Sequence, residues 1–359
     1  MLAQVLQPYS LFLLFIIAML CIAVVVLFKK NTRLSKARPM LGEEPHPSND
    51  DSSLQLFKDK ADEATRLNQT FRKFVPKQFV DHFAKHGSDT LELGRADEDE
   101  LAILFSDIRG FTSLSEQMSP QELMNFLNSY FIRMNEPIHN HSGFIDKFIG
   151  DAVMALFDRP TGSNTDKAQD AIRAALDLRY AMNLYNQHRA NCNYPPINIG
   201  IGIHFGPVII GTVGSDDRMD TTVIGDSVNI AYRLEALAPK YNADIVISAQ
   251  TLEQANVDGL FEYRLLDWVR VKGRKTPIEI YEIIDHQDAT LKQLKFATAE
   301  LIEQGLKSRK AKNWQQAISY FQQALAINPD DTLAVHHLDQ CLKLEHSNPP
   351  EDWDGSISL

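Results

Sequence analysis

The sequence predicts an α+β domain of the ferredoxin-like type, with one membrane-length apolar segment before it and a short all-helical segment after it. Its middle part carries signals in the order strand, helix, hairpin, helix, strand, which is typical of a ferredoxin-like core. Residues 11–28 are almost wholly apolar and uncharged. After residue 284 the chain changes character, and small and aromatic residues take the spacing of a helical repeat.

Charge and cysteine content limit the class of protein. The 359 residues carry a formal net charge of −11, which argues against a general nucleic-acid-binding protein, because such proteins are basic. Cys21, Cys192 and Cys341 are widely separated and predict neither a disulfide framework nor a metal cluster. A chain of this length has room for two domains and accessory segments.

The N-terminal segment predicts a membrane anchor over residues 1–39, with its span at about residues 10–28. Leu11–Phe28 is eighteen uncharged residues, just long enough to cross a bilayer. A buried helix and a signal peptide are the alternatives, but a signal peptide carries positive charge before its apolar run. Here the basic residues follow the run: Lys29, Lys30, Arg33, Lys36 and Arg38. The positive-inside rule then predicts one pass through the inner (plasma) membrane, with the remainder of the chain in the cytoplasm.

Residues 40–97 predict a tether followed by a helix. Met40–Ser53 is rich in Pro, Ser, Asp and Glu, as flexible linkers are. Apolar residues return at helical spacing in Leu54–His86, and Pro76 is expected to break or kink that helix. The apolar stripe has two interpretations. It packs on the next domain, or it pairs with its copy in a second chain.

The main folded domain is predicted over residues 98–286. Leu101–Phe105 is a continuous apolar run, as expected of a strand buried on both faces. Ser119–Glu122 is a capping box with proline at the first helical position, and it opens an amphipathic helix. The further predicted elements are the hairpin Phe144–Phe157, the helix Asp166–His188, and the strands Ile197–His204 and Val208–Val213 joined at Phe205-Gly-Pro207.

Two carboxylates follow apolar strands in this domain. Asp107 comes at the exit of the buried strand, and Asp151 lies on a Gly-Asp turn inside the hairpin. Taken alone, Asp107 could simply cap the next turn. Because an acid at a buried strand end needs its charge compensated, the pair predicts a site for divalent cations, as phosphoryl-transfer chemistry requires.

The two acidic segments carry a family resemblance. Phe105-Ser-Asp-Ile-Arg-Gly-Phe-Thr112 and Asp146-Lys-Phe-Ile-Gly-Asp151 resemble the two metal-binding motifs of the class III nucleotidyl cyclases, and the likeness extends over about residues 71–284. The resemblance implies that Asp107 and Asp151, with the Ile108 carbonyl, hold two Mg²⁺ or Mn²⁺ ions. It also implies a homodimer with shared active sites, which favours a pairing role for the helix in residues 40–97.

A third stretch, Asp220–Leu237, resembles the segment that supplies the transition-state residues of the same family. Asn229 and Arg233 are four residues apart and therefore lie on one face of a helix. A solvated helix face would also explain an Asn–Arg pair. The resemblance implies that Asn229 orients the ribose and that Arg233 stabilises phosphate charge, for which a guanidinium is well suited. Lys272 resembles the family lysine that holds the terminal phosphates, although Arg270, Arg274 and Lys275 share its loop.

Two positions bear on the choice of base. Lys147 matches the purine-reading lysine of adenylyl cyclases, whereas guanylyl cyclases usually carry an acidic residue there. Thr222 stands where many adenylyl cyclases have Asp, and it resembles the subgroup that includes cyanobacterial and bicarbonate-responsive soluble cyclases. A hydroxyl can accept from the adenine amino group but can also donate, so this position predicts softer base discrimination.

The C-terminal part predicts a helical accessory segment over residues 287–345. Its spacing of Gly305, Trp314, Ala317, Phe321, Ala324 and Pro329 is that of one tetratricopeptide repeat (TPR). Because one repeat cannot bury its own apolar face, it would dock on the catalytic domain, pair across the dimer or accept a partner helix. The acidic tail, residues 346–359, is expected to be disordered.

Together these features predict a membrane-anchored, homodimeric adenylate cyclase that converts ATP to cyclic AMP and pyrophosphate. Each site would take Asp107 and Asp151 from one protomer, and the remaining residues from the other: Lys147, Thr222, Asn229, Arg233 and Lys272. The alternatives are a guanylate cyclase, against which Lys147 argues, and a non-enzymatic anchored adaptor that works through its repeat. Gaps in the catalytic set would favour the adaptor, and the sequence has none.

Overall fold

The computed structural model describes residues 49–71, 74–85, 94, 96–215, 217–257, 259–270, 276–347, 349–350 and 353–358. They divide into two units between Gln69 and Thr70, and most of helix α1 (Asn49–Phe71) lies in the first. The second unit contains α2 (Lys77–Lys85), β1 (Ala96–Ile108), α3 (Phe111–Ser115), α4 (Pro120–Asn140), β2 (Gly143–Ile149), β3 (Ala152–Phe157), α5 (Asn164–Asn191), β4 (Ile199–Ser215), β5 (Arg218–Ile224), α6 (Asp226–Leu237), β6 (Ile245–Ser248), α7 (Ala249–Ala255), β7 (Tyr263–Arg270), β8 (Ile278–Ile283), α8 (Ala289–Lys310), α9 (Trp314–Ile327), α10 (Thr332–Ser347) and β9 (Ile357–Ser358).

The predicted membrane span at about residues 10–28 lies outside the described residues. Within the part of the chain that the structure describes, no helix has the length and apolar character needed to cross a bilayer. The predicted helix break at Pro76 is confirmed, since α1 ends at Phe71 and α2 begins directly after the proline. Helix α1 leaves large apolar side chains exposed, among them Leu54, Phe57 and Leu67.

A mixed sheet forms the centre of the second unit, with the strand order β2-β3-β1-β4-β6-β8-β7-β9. Its first four strands are antiparallel, and helices α4 and α5 connect them in the order that a ferredoxin-like core requires. The apolar run in β1 is buried on both faces as predicted. Ala102 and Leu104 pack on the side of α4 and α5, whereas Leu101 and Ile103 pack on the opposite side.

Strand β4 differs from the prediction. The expected strands Ile197–His204 and Val208–Val213 are wrong, because one strand runs from Ile199 to Ser215 and pairs with β1 through Pro207. The Pro207 carbonyl accepts from the Ser227 hydroxyl at 2.8 Å and therefore points away from β1. Because the N and C=O of one strand residue point to the same side, the missing N–H of this proline removes no bond to β1.

The C-terminal helices α8, α9 and α10 pack on the sheet. Their apolar residues share one buried cluster with strands β6, β7 and β8, with Leu306, Phe321 and Leu333 on the helices and Val246 and Leu266 on the sheet. Of the three possibilities that the sequence left open, docking on the catalytic domain is therefore the arrangement observed. The assignment as a tetratricopeptide repeat remains a prediction.

Buried charged groups join these helices to the sheet. Arg264 of β7 lies 3.1 Å from both Glu282 and Asp331, and Lys295 of α8 lies 2.7 Å from Glu282. These side chains are almost completely buried. Each charge has an oppositely charged partner, so the network is compensated and fixes the orientation of the helices on the sheet.

A second buried cluster contains Asp267, His336 and His337, which offer potential metal-ligand atoms within 4.8 Å of one another. The Asp267 carboxylate is already held by the Arg309 guanidinium and by the Tyr241 hydroxyl at 2.6 Å. Because a side-chain cation occupies the position that a metal ion would take, we assign this cluster a structural role.

The prediction of a disordered tail over residues 346–359 is wrong for its described part. Ile357 and Ser358 form the short strand β9, parallel to β7. The Asp354 carboxylate pairs with Arg270, and Trp353 lies against Trp314 with ring centroids 5.6 Å apart. The acidic composition was misleading because its charge is paired with a basic side chain and its aromatic residue is packed on a helix.

Candidate active site

Asp107 and Asp151 meet at one end of the sheet. Asp107 is the second-last residue of β1, and Asp151 follows Gly150, whose φ of +64° makes the tight turn between β2 and β3. The backbone N–H of Ile108 lies 3.1 Å from the Asp107 carboxylate and donates to that of Asp151 at 3.2 Å. Two acids that are 44 positions apart in the chain thus share one small volume.

The electrostatics of this acidic pair fit a divalent cation. Burial and the adjacent Asp107 carboxylate raise the pKa of Asp151 to about 7. Two carboxylates held this close repel each other, and a hard cation with oxygen ligands relieves that repulsion. The donor set of Asp107, Asp151 and the neighbouring Ile108 carbonyl therefore suits Mg²⁺ or Mn²⁺.

Glu235 is a third acid of this region, and no local pattern in the sequence predicts its place there. It lies on α6 and is almost completely buried. Burial and the charges of Asp107 and Asp151 raise its pKa to about 7, while Arg109 opposes that rise. Glu235 lies inside the matched stretch Asp220–Leu237, but an acid on an amphipathic helix carries no specific signal, so only the packing of α6 on the sheet indicates its position.

Helix α6 carries Asn229 and Arg233, and a glycine sets its distance from the sheet. A Cβ at Gly202 of β4 would come within 2.1 Å of the Glu235 backbone nitrogen. Only glycine allows this close approach of the helix to the strand. Asn229 is exposed, with its amide nitrogen 3.4 Å from the Gly225 carbonyl, and Arg233 is half-buried. Both remain accessible for a ligand.

A second group forms around Lys147. Its ammonium lies 3.0 Å from Asp220 and 3.7 Å from Asp146. The Thr222 hydroxyl donates to the same Asp146 oxygen at 2.9 Å. The structure thus brings Lys147 and Thr222 together although they are 75 positions apart, with Asp146 between them. No role is predicted for Asp146 from the sequence, because an acid next to a lysine on a strand carries no specific signal.

Lys272 lies outside the described residues. Its neighbour Arg270, also considered for the terminal phosphates, is engaged by Asp354. Of the other predicted residues, Asp107, Ile108 and Asp151 form one group and Lys147 and Thr222 a second, while Asn229 and Arg233 lie on α6. The hydrogen bonds and ion pairs of these side chains join members within each group.

Large apolar side chains around the two groups are exposed. Phe148 and Ile149 follow Lys147 on β2 and are 49% and 50% exposed; Ile224 at the end of β5 and Tyr232 on α6 are 47% and 54% exposed. Exposed large apolar side chains on elements that carry site residues are typical of an interaction surface.

Two of the curated proteins that are similar to this chain carry the name adenylate cyclase. A curated relative named "Adenylate cyclase" from Anabaena cylindrica is 43% identical over 219 residues, which cover 60% of this chain and 42% of the relative. "Adenylate cyclase, terminal-differentiation specific" from Dictyostelium discoideum is 34% identical over 308 residues, or 85% of this chain and 14% of the relative. The chain spans less than half the length of these curated relatives.

Solved structures and a family profile agree with these relatives. The structure of a bacterial light-regulated adenylyl cyclase is 28% identical with a TM-score of 0.57, covering 69% of this chain and 70% of that chain. The profile "Adenylate and Guanylate cyclase catalytic domain" matches residues 94–285. This match covers more than half of the chain and contains both residue groups, so the chain belongs to the family of adenylate and guanylate cyclase catalytic domains.

Proposed function

We propose that this protein is an adenylate cyclase that converts ATP to 3′,5′-cyclic AMP and pyrophosphate. The observation that carries the proposal is the meeting of Asp107 and Asp151 at the Ile108 amide. Lys147 and Thr222 form a second polar group on the same chain. The relatives in Anabaena and Dictyostelium, both named adenylate cyclases, support the choice of reaction.

The proposed chemistry assigns one task to each residue. Asp107, Asp151 and the Ile108 carbonyl would hold two Mg²⁺ or Mn²⁺ ions. Such ions supply the Lewis acidity that lowers the pKa of the ribose 3′-hydroxyl and offsets the triphosphate charge. Asn229 orients the ribose, and Arg233 stabilises negative charge on the phosphates, because its guanidinium stays charged and is accessible. Lys272 remains the proposed contact to the terminal phosphates.

We infer that the active unit is a homodimer with two shared sites. The two residue groups are each internally connected, and large apolar side chains such as Phe148 on β2 and Tyr232 on α6 are exposed. A two-fold dimer brings the metal-binding group of one protomer against the base-reading group of its partner. The exposed apolar residues Leu54, Phe57 and Leu67 on α1 support an additional pairing contact.

Two accessory roles belong to the same proposal. Residues 1–39 would anchor the protein in the inner (plasma) membrane with the catalytic domain in the cytoplasm, as the basic residues after the apolar run suggest. The helical segment α8–α10 would, as a TPR-like repeat, offer its exposed face to a protein partner. Val335 and Leu342 on α10 are 49% and 41% exposed and support such a contact.

The test is an assay of the purified full chain with ATP or GTP and Mn²⁺, with the cyclic product identified by mass spectrometry. We expect cyclic AMP from ATP and much less cyclic GMP from GTP. A preference for GTP would favour the guanylate cyclase alternative. A chain that is folded and dimeric but makes neither product would favour the adaptor.

A further inference from the structure

The Asp146 carboxylate lies beneath the two predicted base-reading residues. Its side chain has no exposed surface. One of its oxygens accepts from the Thr222 hydroxyl at 2.9 Å and lies 3.7 Å from the Lys147 ammonium. The other oxygen is buried and has no hydrogen-bond partner among the described residues.

A carboxylate in this position is costly for the fold. Burial raises the pKa of the Asp146 carboxyl to about 6, although Lys147 and the Thr222 hydroxyl act in the opposite direction. A buried acid with one oxygen unpartnered is not a packing solution, since an apolar side chain would fill the space without that cost. The carboxylate is therefore better explained by what it does to its two neighbours.

Its effect on Thr222 follows from the properties of a hydroxyl. A free hydroxyl rotates and can either donate or accept. At Thr222 the proton points to Asp146, so only the oxygen lone pairs face outward. Thr222 is also buried, at 9% exposure, which limits the other orientations of its side chain.

Whether the Thr222 hydroxyl donates or accepts matters because adenine and guanine present opposite patterns of hydrogen-bond donors and acceptors. Adenine offers an amino donor beside a ring acceptor, whereas guanine offers a carbonyl acceptor beside a ring donor. A hydroxyl that can turn would satisfy either base. A hydroxyl committed as an acceptor, next to the Lys147 donor, matches adenine at the amino position and leaves the guanine carbonyl facing lone pairs.

We propose that Asp146 is a positioning residue that holds the Thr222 hydroxyl as a hydrogen-bond acceptor and thereby sets the preference for ATP over GTP. A carboxylate at position 222 would accept a hydrogen bond from the base directly. Asp146 produces the same acceptor at this position indirectly, through its hydrogen bond with Thr222. The inference rests on the proposed adenylate cyclase function and deepens it.

The test measures kcat/KM for ATP and for GTP in the full chain and in three single variants. Asp146→Ala frees the Thr222 hydroxyl, and we expect the ATP-to-GTP ratio to fall about tenfold, the size of one hydrogen bond. Asp146→Asn keeps an oxygen acceptor of the same shape, and its ratio should stay within about threefold of wild type. Asp177→Ala is the matched control, because Asp177 is an exposed acid that pairs with His141 and belongs to neither residue group. Its ratio should not change.

A double-mutant cycle separates positioning from a general structural effect. Thr222→Val has nearly the same shape without the hydroxyl, so it should lower the ratio by itself, and adding Asp146→Ala should lower it no further. The inference is overturned if Thr222→Val keeps the wild-type ratio, a result that does not depend on the folding of any Asp146 variant. An Asp146→Ala effect that persists in full on the Thr222→Val background would also overturn it.

The outcomes distinguish this inference from the function on which it rests. A wild-type chain that makes no cyclic AMP contradicts the proposed function. A wild-type chain that prefers ATP, with the same ratio in a folded Asp146→Ala variant, contradicts the role of Asp146 alone.

Discussion

The backbone N–H of Ile108 donates to the Asp151 carboxylate over 3.2 Å, although the two residues are 43 positions apart. This bond joins the end of β1 to the turn between β2 and β3 and holds Asp151 beside Asp107. The geometry is set by the backbone, so the two carboxylates are positioned before any ligand arrives. Preorganisation of this kind reduces the cost of binding a cation.

Removal of either carboxylate should abolish turnover while the fold is kept. Asp107→Asn and Asp151→Asn each remove one charged ligand without changing side-chain shape, and we expect at least a hundredfold loss of kcat/KM with ATP. Circular dichroism and sedimentation should show an unchanged fold and dimer. Asp339→Asn, at an exposed position on α10, is the matched control and should stay fully active. Near-normal turnover of the Asp151 variant at saturating Mg²⁺ would contradict the assigned ligands.

Metal affinity should depend on pH near neutrality. The pKa of Asp151 is raised to about 7, so the metal-free carboxyl is protonated below that pH and ionised above it. A cation must displace the proton at low pH, and the Kd for Mn²⁺ should rise about tenfold per pH unit below 7. Calorimetric titration at pH 6, 7 and 8 measures this, and buffers of different ionisation enthalpy report the released proton. A constant Kd across this range would rule out the coupling.

Complementation between inactive chains tests the shared site. Asp107→Ala removes a proposed metal ligand, and Asn229→Ala removes the residue proposed to orient the ribose. Each homodimer should therefore be nearly inactive. With free exchange, about half of the dimers are mixed and contain one intact site, and activity should recover to roughly a quarter of wild type. Native mass spectrometry verifies the mixed dimers. Heterodimers present without any recovery would exclude the shared arrangement.

The helical segment should contribute to stability through its buried charges. Arg309→Met leaves the Asp267 carboxylate buried without its guanidinium partner, and we expect a loss of roughly 3–5 kcal/mol in the free energy of unfolding. Lys307→Met, on the exposed side of the same helix, should leave the free energy of unfolding nearly unchanged, because an exposed ion pair contributes little to stability. Urea unfolding followed by fluorescence compares the two. Equal stabilities would show that α8 does not depend on the Asp267–Arg309 pair.

Asp146 should lower stability at neutral pH. Its carboxyl has a folded-state pKa of about 6, above the ordinary value of 3.8, so the folded chain holds a proton that the unfolded chain releases between these values. The free energy of unfolding therefore decreases as pH rises through about 4 to 6. Above that range the buried carboxylate destabilises the fold by roughly 3 kcal/mol. Asp146→Asn should be more stable than wild type at pH 7, with a smaller difference at pH 5. A variant less stable than wild type at pH 7 would contradict this expectation.

Local patterns were sufficient to predict much of the catalytic domain. The unbroken apolar run of β1, the capping box at Ser119 and the Gly-Asp turn at Asp151 are each determined by neighbouring residues, and all are observed. The error at β4 arose because Gly206 and Pro207 are turn residues by local preference. The pairing with β1 overrode that preference.

The sequence by itself determined the element order, the acids that follow the strands, and the residues that resemble those of nucleotidyl cyclases. Only the tertiary structure decided that Glu235 lies beside the two acids and that Asp146 underlies Thr222, 76 positions away. It also decided that the acidic tail forms β9 against β7. The reason is physical. A buried hydrogen bond or charge contact between distant residues depends on strand register and helix packing, which the whole chain sets together and no local pattern encodes.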